Sequence, residues 1–158
     1  MGMTKLHRKI RLERDAYSES NNPCSITICT QNRRRIFNDK SFATYCIELI
    51  KELSIKRSFR LFAYCFMPDH IHLLLQGNGT YSIIDLIREF KSKSTIQSRE
   101  FGLSGKIYQT SFYDHFLRKD EDIEKHTRYI LENPVRKGIV KSMAEYSFSG
   151  SEVFDFKR

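Results

Sequence analysis

Two apolar runs, 59–67 and 70–76, are separated only by Pro68 and Asp69, and that spacing restricts the fold more than any other feature of the chain. A connection this short joins antiparallel strands, because parallel neighbours need a crossover of a dozen residues or more. Met67-Pro68-Asp69 breaks the first run, with Pro68 placed to open a tight turn, so the pair reads as a β-hairpin. Residues 25–30 alternate Ser, Ile, Thr, Ile, Cys, Thr and read as an earlier strand. Between them, Phe42, Tyr45, Cys46, Leu49, Ile50 and Leu53 recur at helical spacing over 42–55. After Gly77-Asn78-Gly79 a second helix is expected over 82–101, with Ile83, Leu86, Ile87 and Phe90 inward. The stretch 107–117 reads as extended. A last helix over 120–132 opens with Asp120, Glu121 and Asp122 at its dipole-positive end. The order β-α-β-β-α-β-α predicts an α+β domain, a ferredoxin-like antiparallel sheet with packed helices.

With 158 residues the chain suits one such domain. Residues 1–22 read as a basic N-terminal arm carrying Lys5, Arg8, Lys9, Arg11 and Arg14, equally compatible with a phosphate-contacting arm and a solvated tail. Residues 23–140 form the expected catalytic domain, and 141–158 a polar extension that wraps or frays. No run of about 18 apolar residues offers a membrane span, and the basic start lacks the apolar stretch of a secretory signal. Cys24, Cys29, Cys46 and Cys65 have neither zinc nor disulfide-framework spacing, which points to a reducing, cytoplasmic setting. The net charge of +8 favours a polyanionic partner, nucleic acid before membrane, and a nucleoid-associated location follows from it.

His70-Ile71-His72 is the first group with chemical potential. Side chains two apart on a strand share a face, so both imidazoles project together while Ile71, Leu73 and Leu75 point to the core. Such a pair is either two ligands of one divalent metal or two half-buried histidines with satisfied hydrogen bonds. Tyr129 is the second. It lies off the Ile123, Ile130, Leu131 stripe of the last helix, on a face with Asp122, Lys125, His126 and Asn133. A packed tyrosine with a bonded hydroxyl is the plain alternative. Asn133, just before Pro134, ends the helix with an amide oxygen suited to a hard cation such as Mg²⁺. Two imidazoles and that oxygen can hold one ion, leaving the Tyr129 hydroxyl to attack a polarised phosphorus. A phosphotyrosine conserves the energy of the broken phosphodiester, so rejoining needs no nucleotide cofactor.

Phe66-Met67-Pro68-Asp69-His70-Ile71-His72-Leu73-Leu74-Leu75 resembles the histidine–hydrophobic–histidine segment of the HUH single-tyrosine transposases, and more narrowly the REP-associated tyrosine transposases. Ser111-Phe112-Tyr113-Asp114-His115 and the block from Tyr129 to Gly138 match later segments of that family, so the likeness runs from about Cys29 to Val140. The resemblance implies a metal-dependent single-stranded DNA endonuclease and strand transferase, acting beside DNA hairpins through a 5′-phosphotyrosine intermediate. It carries the nucleophile role to Tyr129 and the metal-ligand role to His70, His72 and Asn133, with Mg²⁺ or Mn²⁺ as cofactor. Two positions depart from the pattern: Tyr108 stands where tryptophan is common, and Lys137 where a small residue is common. The roles of Tyr113, Asp114 and His115 stay open, as does homodimer against monomer.

Arg33, Arg34, Arg35, Arg88, Lys91, Lys93 and Arg136 are the candidate DNA contacts, with Tyr64 or Tyr108 available to stack on unpaired bases. A catalytically silent hairpin-binding or regulatory protein is the alternative function. A ferredoxin-like RNA-binding module ranks below it for want of an RNP-type aromatic signature.

Overall fold

The computed structural model describes residues 21–118 and 121–156; the arm over 1–20 and Asp120 lie outside them. The strands β1 (Cys24–Cys29), β2 (Arg60–Met67), β3 (His70–Gln76), β4 (Tyr113–Phe116) and β5 (Ser149–Gly150) make one antiparallel sheet in the order β4-β1-β3-β2-β5. Helices α1 (Lys40–Lys56) and α2 (Ile83–Ser98) cover one face, and α3 (Ile123–Leu131) and the single turn α4 (Asn133–Arg136) belong to the other. The α+β antiparallel expectation holds.

The pleat sorts side chains between the two layers. Ile26, Ile28, Ile71, Leu73 and Leu75 are fully buried in the cluster beneath α1 and α2, together with Phe42, Ile50, Leu53, Leu86, Ile87 and Phe90. Ala63, Cys65, Met67 and Leu74 point the other way and pack with Leu117, Ile130 and Tyr146. β2 is therefore buried on both faces, which is why its sequence is a continuous apolar run rather than an alternation. Phe66 sits against Phe37 and Phe90 with almost no exposure; truncating it to alanine costs about 3–5 kcal/mol. Helix starts follow the expected chemistry. The Asp39 carboxylate accepts from Phe42 N–H, Ser82 Oγ from Ile84 N–H and the Asp122 carboxylate from Lys125 N–H.

Two local expectations need correction, and one that stood between two alternatives is decided. The last helix begins at Ile123 because Asp122 is its cap, while the Glu121 carboxylate turns to Arg118 N–H and His115 instead. Of 107–117 only Tyr113–Phe116 is a strand; the Lys91 ammonium donates to the carbonyls of Gln109 and Thr110, which removes them from the ladder and leaves Tyr108 a single bridge to Thr30. The segment after Pro134 wraps rather than frays. Tyr146 donates its hydroxyl to the Phe66 carbonyl at 2.6 Å, Phe66 N–H donates to Phe148, and β5 pairs along β2. Gly150 makes that pairing possible, since a Cβ there would lie 2.5 Å from the Tyr64 hydroxyl.

Candidate active site

β3 places His70 and His72 on the α3 side of the sheet, with ring centroids 4.8 Å apart and planes perpendicular. Their cross-strand partners are Cys29 and Met67 for His70, and Thr27 and Cys65 for His72. Each imidazole is held through Nδ1. His70 Nδ1 lies 2.6 Å from the Asp69 carboxylate, and His72 Nδ1 lies 3.1 Å from Thr27 Oγ1. A carboxylate only accepts, so His70 carries its proton on Nδ1 and turns a lone pair outward on Nε2. Among the described residues neither Nε2 has a hydrogen-bond partner.

Burial favours the neutral form of both rings. Burial pushes the His72 pKa down to about 4, helped by His70, Arg136, Arg33 and His126. Burial also lowers His70, outweighing the opposite pull of Asp69. Asp69, which burial alone would raise, is held below its ordinary value by the hydrogen bond from His70 and by Arg33. Neutral imidazoles with outward lone pairs are the protonation state a metal requires.

α3 brings its own groups over this face. His126 Nε2 meets Ser25 Oγ at 3.2 Å, and its ring lies 6.3 Å from that of Tyr129. The Arg136 guanidinium sits 3.8 Å from the centroid of the Tyr129 ring, with Glu132 3.9 Å from its other side. Both Arg136 and His126 are felt at His72. Tyr129 remains 59% exposed, so its ring is stacked but its hydroxyl is not sequestered in the core. Asn133, in contrast, is buried, and its carboxamide makes no hydrogen bond to another described residue.

The donor set fits a divalent ion in part by what is present and in part by what is missing. Two outward imidazole nitrogens suit Mn²⁺ and related metals. Among the described residues no three His, Cys, Asp or Glu side chains gather to hold a metal. A third protein ligand must therefore be of another kind, and the Asn133 amide is the sequence's candidate.

The cationic candidates disperse. Arg33 is bonded to Asp69 and Cys29 Sγ, and with Arg35 it lines a cleft that includes His70. Arg136 attends Tyr129. Arg34 donates to the carbonyls of Ser104 and Lys106 and so ties down a loop. Arg88 and Lys91 border a separate cleft of about 620 Å³ with Ile84, Ile87 and Phe112, which contains neither histidine nor Tyr129. Lys93 pairs with Glu89. Tyr64 and Tyr108 are buried, the latter bonded to Ser94, so neither is available to stack on a base. Tyr113, opposite Thr27 and half exposed, is the aromatic the sheet does offer. Asp114 opposes Ile26 and is buried, whereas His115 pairs with Glu121 at the surface. Asp69, Thr27 and Ser25 are neighbours of the candidate residues to which sequence reasoning gave no role; only the position of Asp69, directly before the first histidine, carried any signal.

Relatives share this arrangement of elements. The sequence profile of the family described as "Transposase IS200 like" matches residues 19–133. A Haemophilus influenzae protein carrying the REP-associated name is 32% identical over 102 residues, 58% of each chain, so this chain spans little more than half of that relative. The REP-associated tyrosine transposase of Escherichia coli strain K12 is 30% identical over 130 residues, covering 78% of this chain and 72% of its own. The solved REP-associated tyrosine transposase bound to a REP hairpin superposes with a TM-score of 0.68 at 26% identity, over 82% of this chain and 76% of that one. A Deinococcus radiodurans structure has the same fold, at a TM-score of 0.54 and 20% identity over 73% of this chain and 88% of its own. The chain belongs to the IS200-like transposase family and, within it, sides with the REP-associated tyrosine transposases.

Proposed function

We propose that this transposase-family chain is a metal-dependent single-stranded DNA endonuclease and strand transferase that works beside DNA hairpins, with Tyr129 as nucleophile. The observation that carries the reading is the imidazole pair: two adjacent rings, each engaged at Nδ1 and neither at Nε2 among the described residues, on the face that α3 covers. A relative of the same fold was solved with a REP hairpin, which supports hairpin DNA as the partner class here.

His70, His72 and Asn133 would hold the ion, Mg²⁺ or Mn²⁺, which when bound supplies charge neutralisation at the phosphate. Asp69 fixes the His70 tautomer and Thr27 orients His72. Arg136 stacks on the Tyr129 ring and restricts its rotation, so the hydroxyl is presented from a limited set of poses. In the step itself a bond forms between the Tyr129 oxygen and phosphorus while the bond from phosphorus to the 3′ oxygen breaks. The phenolic proton leaves Tyr129, and the departing 3′ oxygen takes one up. Joining runs the same exchange in reverse with a new 3′ hydroxyl.

The test is a covalent-adduct assay on labelled single-stranded hairpins from the gene's own flanks, with Mg²⁺, Mn²⁺ or EDTA. Wild type should give a denaturation-resistant adduct with metal and none with EDTA, and Tyr129→Phe none at all. Tight hairpin binding without an adduct under any metal would replace this reading with a recognition-only protein.

A further inference from the structure

The cleft beside His70 enters the chemistry just described only through His70 and Asp69, which border it. It encloses about 470 Å³, within the range of small-ligand sites. Arg33, Arg35, Asn38, Asp69, His70 and Lys137 are among its lining residues, and no residue of α3 borders it. Its charge is unbalanced. Three cations face one carboxylate, Asp69, which Arg33 and His70 already engage. Among the described residues neither Arg35 nor Lys137 makes an ion pair.

The cations are built in rather than loosely placed. Asn32 and Arg33 both adopt left-handed backbone, φ 55° and 53°, which non-glycine residues take up only when their surroundings enforce it. Here the Thr30 hydroxyl donates to the carbonyls of Arg34 and Asp69, and the Arg33 guanidinium bridges Asp69 and Cys29. Lys137 follows α4 directly, its N–H on the Asn133 carbonyl at 3.0 Å.

The two imidazoles have different neighbours. His126, beside Tyr129, bonds Ser25, two residues along β1 from the strand partner of His72, whereas the cleft that holds Lys137 takes in His70 and neither His72 nor Tyr129. The phenol therefore stands on the His72 side and the cleft on the His70 side. An attacking oxygen and a leaving oxygen lie on opposite sides of phosphorus. We infer that the cleft holds the nucleotide immediately 5′ of the cleaved bond, the one that leaves with the 3′ hydroxyl, with Lys137 and Arg35 on its phosphate. This rests on the strand-transfer reading and names where its leaving strand goes.

The experiment uses full-length Tyr129→Phe protein, in which cleavage is blocked, and hairpin oligonucleotides from the gene's flanks. Each oligonucleotide carries one neutral methylphosphonate linkage, moved stepwise through the unpaired flank, and equilibrium binding is measured. One linkage should weaken binding about tenfold, the scale of a charge-assisted contact. Adding Lys137→Ala should reduce the penalty at that linkage to under about twofold and leave the others unchanged; Arg35→Ala should do the same. Lys137 and Arg35 are exposed, and melting curves check that both variants fold. A flat profile, or a Lys137→Ala effect equal at every linkage, would overturn the inference. So would a sensitive linkage anywhere but 5′ of the bond at which wild type cleaves. Absence of an adduct in wild type would remove the strand-transfer reading while leaving this binding profile to be read on its own.

Discussion

Two carboxylates of this protein sit among cations, and they serve different ends. Glu89 on α2 is met by Arg57 at 3.1 Å, Lys93 at 3.2 Å and the Tyr81 hydroxyl at 3.1 Å, and the Arg57 guanidinium also covers the Tyr81 ring. Every group there turns toward the carboxylate, so the cluster is closed and ties α2 to the end of α1. Asp69 is met by Arg33 and by His70, but the imidazole's Nε2 and two further cations, Arg35 and Lys137, have no such partner among the described residues. A closed cluster fastens helices. An open one with surplus positive charge suits a phosphate, the group that the proposed strand-transfer reading brings to it.

If this contrast is right, damage at Asp69 falls on function. Asp69→Ala removes the group that fixes the His70 tautomer, and loss of such a partner typically costs 10–100-fold in metal affinity or activity, about 1.4–2.7 kcal/mol. Asp69→Asn keeps an acceptor for Nδ1–H and should lose less. Calorimetric titration with Mn²⁺ alongside adduct formation measures both. Equal behaviour of wild type and Asp69→Ala in the two assays would reduce Asp69 to a turn residue.

At Glu89 the consequence should be stability alone. The hydrogen bond from Arg57 comes first among the causes that hold its pKa at about 2, well below an ordinary glutamate. A depressed carboxylate contributes its full stabilisation above its unfolded pKa and loses it as pH falls toward the folded value. The affected window is thus pH 4.5 down to about 2. Since the cluster is partly solvated, the contribution is about 1–2 kcal/mol. Glu89→Gln should melt lower at pH 7 and lose less stability than wild type across that acid window, while forming adduct at the wild-type rate. A fall in adduct formation at matched folded fraction would break the division between the two clusters.

Local signals in the sequence were enough for the hairpin, for the shared face of His70 and His72 and for a helix opening at about Ser82, because each depends on neighbours within a few residues. What escaped depends on pairing between distant strands. Thr27 reaches His72 only because β1 lies beside β3 in that register, and Ser25 reaches His126 across 101 positions. The same holds for the stacking aromatics. Tyr64 and Tyr108 were reasonable by type, but the first faces Gly150 of a strand that closes the sheet edge and the second bonds Ser94 on α2. Half-exposed Tyr113 gave no sign of its place opposite Thr27. The candidate nucleophile was legible for another reason, since its position off the apolar stripe of α3 is a matter of helical angle alone.

The smallest expected effect separates the two imidazoles themselves. His70 is held by a charge and His72 by a hydroxyl, so Thr27→Val, which keeps the shape and deletes the hydroxyl, removes a neutral hydrogen bond worth about 1 kcal/mol. Adduct formation should fall only about fivefold at sub-saturating metal, with the melting temperature nearly unchanged, because valine suits a strand position as well as threonine does. The apparent metal affinity should fall by a similar factor if Thr27 acts by orienting the ring. A loss confined to the rate at saturating metal would instead place Thr27 on the DNA path beside Tyr113, its neighbour across β4. The position of the lost factor, in affinity or in rate, therefore decides whether the hydroxyl belongs to the open cluster of Asp69 or to the strand-binding face next to it.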